Sequence, residues 1–212
     1  IPFATLELKN PLTGQTVENA RAQYKSDRDA HDPIFEFKRR TLVHFAVDTE
    51  SVLMTTRLGG TATHFLPFNR GDDGGAGNPL ADGHRTAYLW QDVWARDSWL
   101  EILGRYLVVR RDARQQVIEL IFPRYHQLDA TRRLVAAIRA EGPGQRYLIQ
   151  HSAGSGKSNS IAWLAHQLIS TRKDGKEVFD SIIVVTDRRI LDKQIRETIK
   201  GFAQVGSIIG AV

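Results

Sequence analysis

Eight residues, His151-Ser152-Ala153-Gly154-Ser155-Gly156-Lys157-Ser158, constrain this chain more than any other stretch. They stand between a short apolar run, Tyr147–Gln150, and a stretch with Ile161, Leu164, Ala165 and Leu168 on one helical face. The local order is therefore strand, glycine loop, helix. In that context consecutive backbone N–H groups can curl around a phosphate. The glycines let the chain approach without a Cβ clash, and the following helix adds its positive end. Ala153, Gly154, Ser155 and Gly156 supply the backbone, Lys157 a point charge for β/γ-phosphates, and the Ser158 hydroxyl a ligand for Mg²⁺. The first position of the full Walker A pattern is His151 instead of Gly, but the Gly-Ser-Gly-Lys-Ser core is intact. The alternative is a Gly/Ser loop that binds nothing, and the strand–loop–helix context speaks against it.

The neighbours of the loop predict an α/β domain. Val117–Phe122 reads as a strand or extended entry, Gln127–Arg139 as a helix with Leu128, Val135 and Ile138 inward, and Gly142-Pro143-Gly144 as a turn. Ser181–Thr186 is β-branched at Ile182, Ile183, Val184 and Val185, the composition of a parallel strand covered on both faces. A helix over Arg189–Phe202 and a further strand near Ser207–Ile209 continue the alternation that predicts a parallel sheet.

Two clusters around this frame bear on ligands. A glutamine amide can pair with adenine N6 and N7, and Gln127 follows an aromatic and basic group, Phe122-Pro123-Arg124-Tyr125-His126. Phe122, Arg124 or Tyr125 would then stack on the ring; the competing reading makes Gln127 a surface residue at a helix start. Arg188 and Arg189 stand at the carboxyl end of the second strand, the edge where open α/β sheets bind ligands, and there they could grip DNA phosphates. Surface arginines without a partner are the alternative.

The first hundred residues read differently. Ala4 to Lys9 alternates, with Ala4, Leu6 and Leu8 on one side and Thr5, Glu7 and Lys9 on the other, which predicts a half-buried strand. Thr16 caps a helix reaching about Asp27. Leu42–Val47, Val52–Thr56 and Thr63–Phe68 follow as a β-meander. After the glycine-rich segment Gly71–Pro79, a helix past Arg85 carries Trp90, Val93, Trp94 and Leu100, tryptophans better suited to core packing than to base stacking. Arg110–Arg114 reads as a basic connector.

Charge divides along the same line. Residues 1–100 are net −2 and residues 101–212 net +7, so the second half is the one that would face a polyanion. With no cysteine, disulfide staples and thiolate zinc modules are excluded. No apolar run approaches the roughly 20 residues of a membrane helix, no signal pattern is present, and a cytoplasmic location is expected. The first residue, Ile1, makes the chain read as a fragment of a longer polypeptide.

Together, Phe122–Gln127, His151–Ser158 and Val184–Gln194 resemble the motor (restriction) subunit of type I restriction–modification enzymes. Phe65-Leu66-Pro67-Phe68-Asn69-Arg70-Gly71, followed by Gly75-Ala76-Gly77-Asn78-Pro79, is similar to that family's loop between nuclease and motor. The resemblance extends over nearly the whole chain. It implies the C-terminal part of a PD-(D/E)xK-like nuclease domain over residues 1–115, then the start of a RecA-like, superfamily 2 helicase-like motor domain with a parallel sheet over residues 116–212. It implies ATP and Mg²⁺ as cofactors, and ATP hydrolysis coupled to translocation and cleavage of double-stranded DNA. It also implies methyltransferase and specificity subunits as partners.

In that family context Thr5-Leu6-Glu7-Leu8-Lys9-Asn10 resembles the E-x-K arm of the nuclease, since residues i and i+2 share a strand face. Glu7 would hold Mg²⁺, and Lys9 would orient the attacking water. The family's Gln and Tyr, four apart on the next helix, carry over only as Gln23, because Tyr24 is adjacent to it. The family's metal-binding Asp would precede Ile1, and a Walker B carboxylate pair and a second motor lobe are absent, so the fragment alone is not expected to hydrolyse ATP. Arg70, ahead of the glycines, could carry a cation between the two functions. A P-loop kinase or small NTPase, and a non-enzymatic nucleic-acid-binding module on a degenerate P-loop, are the competing readings.

Overall fold

A computed structural model describes residues 3–80, 83–187 and 189–202. The chain divides into two compact units, Ile1–His126 and Gln127–Val212. Among the described residues, no helix is long and apolar enough to cross a membrane.

The first unit is built on a four-stranded sheet in the order β1 (Ala4–Leu8), β2 (Val43–Val47), β3 (Val52–Thr55), β4 (Leu66–Pro67). β1 and β2 run parallel, with Thr5 opposite His44 and Glu7 opposite Ala46. The crossover between them includes helix α1 (Val17–Ser26). Thr16 starts α1 as a capping box: its hydroxyl accepts from Glu18 N, and Asn19 Oδ1 accepts from Thr16 N. The pairs β2–β3 and β3–β4 are antiparallel, as a meander requires.

All five residues of β2 are buried, because both its faces are covered. Ala46 packs with Ala20 and Tyr24 of α1, Leu58 and Phe65. Phe45, on the opposite face, meets the rings of Phe68, Trp94 and Phe122 at 5.5, 5.6 and 6.0 Å. β4 is shorter than the expected Thr63–Phe68. Thr63 is spent on a turn instead: its Oγ accepts from Gly59 N at 2.9 Å and donates to Gly60 O at 2.7 Å.

The glycine-rich segment is a closed loop. Gly71 N donates to Gly77 O, and the buried Asn78 ties the base by accepting from Arg70 N and donating to Glu50 O. The single helix expected after Arg85 is broken into a π-turn (Leu89–Val93), α2 (Arg96–Glu101) and a second π-turn (Ile102–Tyr106). Trp94 N reaches back five residues to Leu89 O. This wider turn shifts the register, so Val93 stays buried while Trp90 and Leu100 face solvent. The expected connector Arg110–Arg114 is partly strand. β5 (Val108–Arg111) pairs antiparallel with β6 (Val117–Ile121), and Asp112 Oδ1 accepts from Arg114 N and Gln116 N in the turn.

The second unit holds α3 (Tyr125–Glu141, most of which lies beyond Gln127), α4 (Lys157–Ile169) and α5 (Arg189–Phe202). Val135 and Ile138 of α3 pack with Leu168 of α4. The helices α4 and α5 are joined by Trp163 against Phe202 and by His166 Nε2 on Ile199 O at 2.8 Å. A two-residue hairpin, β7 (Arg172–Lys173) and β8 (Lys176–Glu177), turns at Asp174-Gly175. Both turn residues have positive φ, as a type I′ turn demands.

Among the described residues, the parallel sheet expected of this unit does not form. Neither Tyr147–Gln150 nor Ser181–Thr186 is a strand, and Leu148, Ile183 and Val185 are 90%, 82% and 87% exposed. β-branched composition favours a strand only where a ladder neighbour and a covering face exist. Among the described residues, neither run has such a neighbour. Both the expected strand near Ser207–Ile209 and Arg188 lie outside the described residues.

Candidate functional site

The phosphate-type loop of the second unit spans His151–Ser158. Gly154 and Gly156 take φ of +72° and +79°, the left-handed region that a side chain disfavours. Gly156 is the N-cap of α4 and offers no side-chain acceptor to the first turn, where Asn159 N donates to Gly156 O at 3.0 Å. Ser152, Ala153, Gly154 and Lys157 are exposed, whereas Ser155 is buried. The Lys157 ammonium donates to the loop's own carbonyls, His151 O at 3.3 Å and Ser152 O at 2.8 Å. A cation arched over an uncapped helix start is a donor set that fits a phosphate chain. Lys157 would hold the terminal phosphates and Ser158, at the start of α4, the accompanying Mg²⁺.

Gln127 is neither a surface residue nor open to a base. It is 2% exposed, and its Nε2 donates to Ser155 O at 3.2 Å and Gly156 O at 3.0 Å. The aromatic cluster ahead of it belongs to the first unit. Phe122 is buried against Phe45, Phe68 and Trp99, so it offers no stacking face for a base. Tyr125 lies edge-on to Phe68 and Tyr88. Arg124 is half-buried, and desolvation lowers its pKa. Arg70 places its guanidinium 5.7 and 6.0 Å from the ring centres of Tyr88 and Tyr125. Arg189 is the exposed first residue of α5.

A second cluster sits on β1 in the first unit. Thr5, Glu7 and Lys9 share the face turned to α1, and each finds a partner there or just beyond. Lys9 Nζ donates to Gln23 Oε1. Glu7 Oε1 accepts from Arg28 Nε at 2.7 Å and lies 2.6 Å from Arg28 Nη2. Thr5 Oγ lies 2.7 Å from both Tyr24 Oη and His44 Nδ1. Burial pushes the His44 pKa down to about 4 and raises that of Tyr24. The structure thus gathers Glu7, Lys9 and Gln23 on one side of the sheet. Among the described residues, no three His, Asp or Glu groups converge as a metal site. Glu7 could contribute one carboxylate to a cation.

Arg28, Tyr24, Thr5 and His44 were missed by sequence reasoning. Of these, Tyr24 lies on α1 with Gln23, whereas Arg28 follows the end of α1 at Ser26, where no helical spacing marks it.

Gln127 and the phosphate-type loop lie within a matched region. Residues 126–208 match the SWI2/SNF2 ATPase family. The match takes in α3, the phosphate-type loop, α4 and α5, and it supports an ATP-hydrolysing motor of the helicase-like kind. No curated protein and no solved structure matches the chain. The SWI2/SNF2 match leaves out the β1 cluster, which stands on its own geometry.

Proposed function

We propose that the chain is part of the motor subunit of a type I restriction–modification enzyme, coupling ATP hydrolysis to translocation and cleavage of double-stranded DNA. Support for the motor comes from one observation above all: an uncapped α4 N-terminus, with Lys157 arched over it, inside the region similar to SWI2/SNF2 ATPases. In this reading Ala153–Gly156 wrap the phosphates, Lys157 neutralises them and Ser158 holds Mg²⁺, which polarises the transferred phosphoryl group. Arg188 and Arg189 meet DNA phosphates. Glu7, Lys9 and Gln23 form the nuclease arm, with Glu7 on the metal and Lys9 on the attacking water. Residues 1–115 carry the nuclease part and residues 116–212 the start of the motor. Methyltransferase and specificity subunits complete the enzyme in the cytoplasm.

Lys157→Ala in the full-length protein tests this. Loss of the charge-assisted partner of the phosphates should abolish DNA-stimulated ATP hydrolysis, measured as phosphate release. Unchanged hydrolysis would remove the motor assignment.

A further inference from the structure

We propose that Gln127 is a positioning residue for the phosphate loop: its amide fixes the two peptides at the start of α4, so phosphate binding depends on it whatever base the nucleotide carries. The inference rests on the reading of His151–Ser158 as a phosphate loop.

A side-chain amide has two N–H donors, and here Nε2 reaches two successive carbonyls, Ser155 O and Gly156 O. Each carbonyl belongs to a planar peptide whose N–H points the opposite way, and the chain has no cis peptide bond among the described residues. Holding Ser155 O and Gly156 O towards α3 therefore turns the N–H groups of Gly156 and Lys157 away from Gln127, to the side where an anion can collect them. A loop with glycines at positions 154 and 156 has many alternative conformations. Some of them flip a peptide and put a carbonyl oxygen where a phosphate oxygen must go. The amide selects against those.

Packing shows the same fit. A Cβ on Gly156 would come within 2.5 Å of Gln127 Nε2, so the loop backbone lies as close to the amide as a glycine allows. Gln127 is itself fixed on α3, where Thr131 Oγ donates to Gln127 O at 2.8 Å. Adenine pairing would draw on the same Nε2, so a base can be read only by giving up a bond that shapes the loop.

The test compares full-length wild type with Gln127→Ala and Gln127→Asn, whose amide is one methylene short of both carbonyls. Binding of tripolyphosphate, ATP and GTP, each with Mg²⁺, is measured by titration calorimetry, with circular dichroism as the control for folding. Amide hydrogen exchange is followed over residues 151–158 and over α4 and α5. All three ligands should weaken by the same factor, about tenfold in Gln127→Ala for two lost hydrogen bonds. The ATP-to-GTP ratio should not move, and faster exchange should be confined to the loop. Weakening of ATP alone, with tripolyphosphate unaffected, would make Gln127 a base reader and overturn the proposal. So would unchanged binding of all three, or faster exchange throughout α4 and α5. Failure of the wild type to bind any of the three would instead sink the phosphate-loop reading beneath it.

Discussion

His44 occupies the middle of an apolar strand, between Val43 and Phe45, and is 1% exposed. It is kept neutral by its surroundings, with Thr5 Oγ on Nδ1 and the rings of Tyr24 and Phe35 at 5.8 and 6.0 Å. Its pKa falls to about 4 because burial penalises the imidazolium. The unfolded chain takes up the proton near pH 6.5 and the folded one only near pH 4, so stability is full above pH 6.5 and declines as pH falls between those values. The expected loss is about 3 kcal/mol across that window, close to 1.4 kcal/mol per pH unit. Urea unfolding at several pH values checks it, with His44→Asn expected to flatten the slope. An equal slope in both proteins would place the titration elsewhere. At this scale the glycine loop was legible, and the structure sets the Lys157 ammonium on its carbonyls, His151 O and Ser152 O. The sequence was silent on His44, since nothing local tells a polar residue inside an apolar run which neighbour will satisfy it.

Among the elements, two runs of similar composition met opposite fates. Leu42–Val47 and Ser181–Thr186 both read as buried strands, yet only the first has ladder neighbours on two sides and side chains packed on both faces. Local propensity was read correctly in each, but pairing is a long-range property that the run does not encode. α1 was easier, since its start is written in Thr16 and Asn19, three residues apart. The difference between the two runs can be measured by chemical denaturation. Val185→Ser, at a side chain open to water, should change stability by less than about 0.5 kcal/mol. Phe45→Ala, which empties a site between Phe68, Trp94 and Phe122, should cost about 3–5 kcal/mol. Comparable losses from both would mean that Val185 is covered after all.

For the whole molecule, the two candidate sites lie in different compact units: the Glu7, Lys9 and Gln23 cluster in the first, and the phosphate-type loop in the second. Both could be read from sequence because each depends on short spacing, i and i+2 on a strand and a glycine loop before a helix. Their partners could not, because Arg28 and His44 meet the strand only through the crossover and the sheet. Separate units imply separable functions. If Glu7 and Lys9 form the proposed nuclease arm, Glu7→Gln or Lys9→Ala in the intact enzyme would remove a metal ligand or the cation beside it, and Mg²⁺-dependent cleavage of DNA should fall by orders of magnitude. ATP hydrolysis stimulated by DNA should stay within about twofold of wild type, since changes at independent sites do not propagate. Glu7→Gln also breaks the ion pair with Arg28, so folding is confirmed by circular dichroism before either rate is read. If cleavage persisted, Glu7 and Lys9 would be a paired strand face and the nuclease site would lie elsewhere. If both activities collapsed in a folded protein, the β1 cluster would be serving the motor as well.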